Sequence, residues 1–188
     1  FGFGNDGSVT GVTNLVSDSG VVAADVSAVG TARRWVSGTN FGTDKAIFVF
    51  GKPSSDSPAD ITNLVSNTGV VASDVTGVGT AREGTSSTRF GTDGKAVIIN
   101  GKNSSNSIVN TTNIISSSGV LASDTTSSGT SNTYGAAVPY GGDKAIVAFG
   151  DTTNISRLIN NLGVVGANVT GVGTSRYTAA ATSYGYTA

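Results

Sequence analysis

The chain has 188 residues, enough for one domain with a sizeable core, since folding at this length buries roughly 70% of the unfolded surface. Charged residues make up only 12%, 11 basic against 12 acidic for a net charge of −1, while Ser and Thr number 25 each and Gly 27. That balance lacks the basic excess that drives binding to nucleic acid or to anionic lipid. With neither His nor Cys, the chain also has no imidazole base, Ser-His-Asp or Cys-His nucleophile, thiolate metal site or disulfide.

Along the chain, FGFG (1–4) matches the end of a strand-like stretch, AIFVFG (46–51), that returns later. The segment TNLVSDSGVVAADVSAVGTAR (13–33) then recurs as TNLVSNTGVVASDVTGVGTAR (62–82), TNIISSSGVLASDTTSSGTSN (112–132) and SRLINNLGVVGANVTGVGTSR (156–176). Its turn glycines, Gly20, Gly69, Gly119 and Gly163, stand 49, 50 and 44 residues apart, a period that marks a repeated supersecondary unit. A second block, FGTDKAIFVFG (41–51), recurs as FGTDGKAVIING (90–101) and YGGDKAIVAFG (140–150). The alternation makes one repeat domain over 1–188, with units of roughly 1–41, 42–90, 91–140 and 141–188.

Short apolar runs rich in Val, Ile and Phe, punctuated by Gly, Asn, Asp and Ser, predict strands throughout and no helix. The nearly continuous run Ala46 to Phe50 predicts a strand covered on both faces, and it is too short to cross a membrane. A second strand is expected at Ile61 to Ser66, a tight turn at Asn67-Thr68-Gly69, a third strand at Val70 to Ser73 and a fourth at about Glu83 to Phe90. Four short antiparallel strands every 50 residues or so predict an all-β fold, a β-propeller of four blades; a β-solenoid would show a finer period. Blades stack to bury both faces, so the array is expected to close into a ring. The last residues, SYGYTA (183–188), match the start of the strand whose end is FGFG. Joining Ala188 to Phe1 would complete one blade; the alternative is that both ends continue into further repeats.

An apolar strand ending in Gly, a longer loop, a hairpin pair and a Thr-Ala-Arg turn resemble the kelch repeat, over all four units. Gly51, Gly101 and Gly150 stand where kelch repeats carry a glycine pair, with Lys52, Lys102 and Asp151 replacing the second glycine. The aromatic of the fourth kelch strand is replaced by Val22, Val71 and Leu121. The wording TNLVSNTGVV, GVGTAR and GDKAI is also similar to repeats of bacteriophage tail-fibre and virion-surface proteins. That likeness implies a virion or extracellular setting.

Arg33, Arg82 and Arg176 recur in register, with Asn132 in the third unit, and are expected to bond loop carbonyls or the in-register Asp25, Asp74, Asp124 and Asn168. Asp44, Asp93 and Asp143, each followed closely by a Lys, read as turn formers rather than as calcium or acid-base carboxylates. Phe41, Phe90, Tyr140 and Tyr184 lie eight residues past the Arg position and are expected in the core between blades. Trp35 has Gly84, Tyr134 and Thr178 as its counterparts, so it is read either as filling a gap or as stacking on a sugar face. The loops Lys52 to Asp60 and Lys102 to Thr111 differ between units, and such loops are where recognition usually sits. The candidate ligand-binding residues are Trp35, Lys52, Ser55, Asp56, Lys102, Asn103 and Asn106. Asn103, Asn110, Asn154 and Asn168 open N-glycosylation triplets.

The function expected is a non-enzymatic structural and recognition module of a virion surface, tail fibre or other extracellular fibre, binding host glycan or protein through the variable loops. It has no cofactor, no metal, no nucleic-acid partner and no membrane insertion, and it can self-associate into a fibre or virion assembly. The alternatives are a purely architectural filament subunit and a carbohydrate-active propeller enzyme, against which Glu83 is the only Glu in the chain.

Overall fold

The computed structural model describes residues 1–27, 29–55, 57–151 and 153–184, and these form antiparallel β-structure with no helix. The first sheet has two strands, β1 (Gly2–Asn5) and β2 (Val9–Thr13). The second holds β3 (Ser37–Phe41), β4 (Lys45–Val49), β5 (Ile61–Val65) and β6 (Val75–Thr76), and the third β7 (Ser86–Phe90), β8 (Lys95–Ile99), β9 (Thr111–Ile115) and β10 (Thr125–Thr126). The fourth holds β11 (Ala136–Tyr140), β12 (Lys144–Ala148), β13 (Ser156–Ile159) and β14 (Val165–Val169). Within each sheet the strands lie side by side in chain order, so every connection is a hairpin.

The third sheet shows why the middle apolar run is continuous. Ala96 and Ile98 of β8 join Phe41, Ile47, Val49 and Phe50 in one cluster, while Val97 and Ile99 join Ala145, Val147, Ile159 and Val165 in another. Alternate side chains of one strand thus enter two cores, as the pleat requires. The strands β3, β7 and β11 lie next to one another along an inner edge, joined by hydroxyls. Ser37 Oγ donates to Ser87 Oγ at 2.6 Å, Ser87 Oγ to the Gly38 carbonyl at 3.0 Å, and Ser86 Oγ to the Gly135 carbonyl at 2.8 Å. Part of the Ser and Thr content therefore packs between sheets instead of wetting the surface.

Several expectations need correction. Three complete four-stranded sheets and a two-stranded one are present where four four-stranded blades were expected, and they do not close into a ring. The segment in register with β3, β7 and β11 near the C-terminal end, residues 180–184, is not in strand pairing, so the first sheet lacks an inner strand. The expected junction of Ala188 with Phe1 lies outside the described residues. The stretch Val70 to Ser73 holds only an isolated bridge, Val65 to Val71, and the fourth strand is the short β6; the expected strand ending at Phe90 opens the next sheet instead. Among the in-register aromatics, Phe41 and Phe90 are buried, but Tyr140 faces outward from the last sheet and Tyr184 is exposed.

The turn at Gly69 forms as expected, with φ at 79° and its N–H donating to the Ser66 carbonyl at 3.0 Å. A β-branched residue is disfavoured in that left-handed region by about 1 kcal/mol or more. A Cβ there would also collide with the Leu15 side chain. Gly69→Val should therefore lower stability by about 1–2 kcal/mol, against under about 0.5 kcal/mol for Ser55→Val in an exposed loop. Equal shifts in thermal melts would refute the turn assignment.

A buried Arg links each sheet to the next. Arg33 is fully buried; its Nε donates to the Phe50 carbonyl at 2.8 Å, one Nη to Asn63 Oδ1 at 2.6 Å, and it lies 3.6 Å from Asp74. Arg82 keeps the bond to Asn113 and lies 3.7 Å from Asp124, but its buried Nε makes no hydrogen bond corresponding to the one Arg33 makes to the Phe50 carbonyl. The carboxylate comes from the following repeat, and it also accepts from the turn threonine, Thr31 or Thr80. Both guanidiniums cover a phenylalanine, Arg33 over Phe3 at 4.5 Å and Arg82 over Phe50 at 4.7 Å. In the next repeat the members trade places. Asn132 stands where Arg is expected, Arg157 stands in the register of Asn63 and Asn113, and Asn168 replaces the Asp. Arg157 is again buried and reaches Asn132 Oδ1 at 3.2 Å.

Candidate binding rim

At the entrance to each inner strand one residue takes the left-handed conformation: Trp35 (φ 55°), Gly84 (φ 61°) and Tyr134 (φ 55°). For a bulky aromatic this conformation costs on the order of 1 kcal/mol or more and persists only where its surroundings impose it. Backbone bonds impose it here. The Gly84 N–H donates to the Trp35 carbonyl at 3.2 Å, the Tyr134 N–H to the Gly84 carbonyl at 2.8 Å, and the Ala179 N–H to the Tyr134 carbonyl at 3.2 Å. This ladder sets three aromatic rings in a row on one rim, Trp35 to Tyr134 at 6.1 Å and Tyr134 to Tyr177 at 5.3 Å between centroids.

Charges frame the row. The Arg34 guanidinium lies 4.4 Å from the Trp35 ring and Lys52 Nζ 5.8 Å from it, while Lys52 also pairs with buried Glu83 at 3.7 Å. Burial, and next the Glu83 charge, push the Tyr134 hydroxyl up to about 12, so it remains a neutral donor. Trp35 is 43% exposed, leaving part of its ring open to solvent. Gly84 makes room for the row, because a Cβ there would lie 2.7 Å from the Tyr134 ring. Gly84→Ala should therefore displace Tyr134 and change the Trp35 fluorescence while shifting stability by about 1 kcal/mol; an unchanged spectrum would show that the rings do not depend on this gap.

The expected site residues divide into two groups. Lys52 meets Trp35, and the Lys102 backbone exchanges two 2.9 Å hydrogen bonds with that of Glu83, so both loop bases border the rim. Ser55 Oγ donates within its own loop, to the Ser57 carbonyl, Asn103 Oδ1 accepts from the Ser105 and Ser107 amides, and Asn106 holds a left-handed turn. Among the described residues none of these three hydrogen-bonds to or stacks on the aromatic row, and Asp56 lies outside the described residues. Arg34, Glu83, Tyr134 and Tyr177 escaped sequence reasoning. The signal was the shared register of Trp35 and Tyr134, which becomes adjacency only once successive inner strands lie side by side.

Of the glycosylation triplets, the Asn110, Asn154 and Asn168 carboxamide nitrogens donate to Ser127, Gly173 and Thr130, respectively. Asn103 uses its oxygen for the turn. The carboxylates of Asp44, Asp93 and Asp143 lie in the β-turns and pair with Lys45, Lys95 and Lys144 at 3.0, 2.6 and 2.7 Å, and those lysine hydrogen bonds hold each carboxyl below its usual range. At the far ends of β3, β7 and β11 a polar cavity of about 770 Å³ opens, lined by Thr39, Asn40, Thr88, Arg89, Asp143 and Lys144. Among the described residues no cluster of three or more acidic side chains could hold a metal ion, and no helix is long and apolar enough to cross a membrane.

No family model and no curated protein matches the chain. Solved structures do match its fold. One of them, the structure of YjhT, has a TM-score of 0.62 at 12% identity, covering 83% of this chain. The chain spans 57% of the length of YjhT.

Proposed function

We propose that the chain is a non-enzymatic recognition module of a virion surface or extracellular fibre, built from kelch-like blades, that takes a host glycan on the rim formed by Trp35, Tyr134 and Tyr177. The observation that carries this reading is a half-exposed Trp35 held in a left-handed conformation beside Arg34 and Lys52. An aromatic face for the apolar side of a sugar, with a few fixed polar groups at its edge, is the usual make-up of a small-ligand site. A glycosidase reading has less support, because two free carboxylates facing one another are needed. Glu83 is engaged by Lys52, and the turn aspartates by their lysines.

A glycan array tests this. Wild type should retain a defined class of glycan, Trp35→Ala should bind it at least about tenfold more weakly, and Asp44→Asn, Asp93→Asn and Asp143→Asn should bind as wild type does. An array with no retained glycan, or with equal retention by Trp35→Ala, would refute the rim as the site.

A further inference from the structure

We infer that the chain matures after folding at Asn100, whose carboxamide is hydrolysed to the carboxylate that buried Arg157 lacks, so that the joint between the third and fourth sheets gains an ion pair. In the two preceding joints the guanidinium of Arg33 or Arg82 has an aspartate at 3.6 or 3.7 Å. In this one Asn168 holds the aspartate register. Arg157 is 1% exposed and is met by Asn132 Oδ1 at 3.2 Å, Asn110 Oδ1 at 3.2 Å, Ser127 Oγ at 3.4 Å and the Ser128 carbonyl at 3.3 Å, all of them neutral. A buried cation answered only by neutral dipoles is costly, and an acceptor that became anionic in place would relieve it. Asn100 is placed to become one. It stands in the register of Phe50 and Phe149, it is 1% exposed, and it is followed by Gly101, the sole Asn-Gly pair in the sequence.

The surroundings of Asn100 activate its side chain. The carboxamide is satisfied with its oxygen turned to Arg157, accepting from that guanidinium and, at 3.1 Å, from the Asn132 N–H, and with its nitrogen donating to Asn110 Oδ1 at 3.3 Å. Two donors on one carbonyl oxygen, one of them cationic, draw electrons from Cγ and stabilise the oxyanion that forms when a nucleophile adds there. The nucleophile is the backbone nitrogen of Gly101, whose lack of a Cβ permits the close approach. Its N–H reaches the Asn132 carbonyl only at a long 3.3 Å, so little holds it back. The Gly101 nitrogen bonds to Asn100 Cγ and gives up its proton, the bond from Cγ to Nδ2 breaks, and Nδ2 leaves with that proton as ammonia, leaving a five-membered cyclic imide. Water from solvent then adds at Cγ and cleaves its bond to the Gly101 nitrogen. The Gly101 N–H is restored, and the new carboxyl passes its proton to the ammonia. The same two donors polarise Cγ for this second step, which favours aspartate over the isoaspartate that attack at the main-chain carbonyl would give. Asn110 is half-buried and stands between the cluster and solvent, so water enters and ammonia leaves on its side.

The test purifies the full chain at mildly acidic pH, which arrests loss of the Gly101 proton, and then ages it at mildly alkaline pH in heavy-oxygen water. Label fixed in the peptide that carries Asn100 then reports conversion during ageing rather than during digestion. The folded chain should take up the label as α-linked aspartate at least about tenfold faster than the same chain in denaturant, where Arg157 and the Asn132 N–H no longer hold the oxygen. Asn100→Asp, made directly, should melt at least about 2 °C above unconverted wild type at neutral pH. That gain should fade as pH falls below about 4, where the carboxylate that faces Arg157 is neutralised. A folded chain that keeps Asn100 intact, that converts no faster than the denatured one, or that yields mainly isoaspartate would overturn the proposal. So would an Asn100→Asp chain that melts no higher than wild type or whose gain is indifferent to pH.

Discussion

Arg82→Ala is expected to lower the stability of the chain by about 3 kcal/mol, while Arg176→Ala changes the monomer by no more than about 0.5 kcal/mol. The two arginines occupy the same register of the same motif. Their surroundings set them apart. Arg82 is fully buried, hydrogen-bonded to Asn113, 3.7 Å from Asp124 and stacked on Phe50. Truncation would remove the stack, leave Asn113 short of a donor and leave the partly buried Asp124 without its counter-charge, and breaking a buried pair costs far more than the pair itself contributes. Burial pushes the Arg82 guanidinium down to about 10, against the attraction of Asp124, and it stays cationic at neutral pH. Arg176 is exposed, and its guanidinium stacks on Phe149 without a carboxylate partner among the described residues. At low concentration, where any association is absent, thermal melts should show Arg82→Ala lower by roughly 6–12 °C at 2–4 °C per kcal/mol for a domain of this size. Similar shifts for both variants would mean that the buried network contributes little.

The same network sets an acid limit. Burial raises the Asp124 carboxyl, but hydrogen bonds from Thr80 and Asn113 and the Arg82 charge outweigh it, leaving a net lowering; Asp74 behaves likewise with Asn63, Thr31 and Arg33. A carboxyl whose folded pKa is depressed contributes stability that is fully present above its unfolded value, near about 3.9, and is lost as pH falls through the folded value. Asp124→Asn should therefore flatten the loss of stability below about pH 4. An unchanged acid limb in melts taken between about pH 2 and 6 would count against this assignment.

The repeat made much of this fold readable in advance. Alternating blocks of fixed wording give the strand order, the unbroken run at 46–50 gives a strand buried on both faces, and Gly69 gives the hairpin turn, because each depends on local pattern and on what a Cβ can tolerate. The pairing of Arg with a carboxylate was legible too, although the partner proved to be the aspartate of the following repeat. Ring closure was not legible. It depends on how far each sheet rotates from the last and on whether residues 180–184 enter strand pairing, and neither is written in side-chain periodicity. The rim was half legible: Trp35 stood out as an unmatched aromatic, but its neighbours Tyr134 and Tyr177 come from distant repeats and meet it only through the ladder of left-handed residues.

The joint between the third and fourth sheets offers the sharpest test of the repeat, because its members are exchanged. Asn132, Arg157 and Asn168 hold the registers that Arg, Asn and Asp hold in the two preceding joints, and Asn100 replaces the phenylalanine under the arginine. Arg157 donates to Asn132, to Asn110 and to the Ser128 carbonyl, and burial lowers its pKa with no carboxylate opposing it. Asn132→Arg alone places a second guanidinium against Arg157 in a dry site with no counter-charge, and should destabilise by about 3 kcal/mol or more. Adding Arg157→Asn and Asn168→Asp rebuilds the arrangement of Arg33, Asn63 and Asp74, so the triple variant should recover most of that loss. The coupling among the three substitutions should approach the upper end of the roughly 0.5–3 kcal/mol range seen for residues in one network. Adding Asn100→Phe should recover more, since the stacked pair found at Phe3 with Arg33 and at Phe50 with Arg82 is then complete. Melting curves for the single, triple and quadruple variants decide the matter, and strictly additive losses would show that the exchanged residues do not act as one unit.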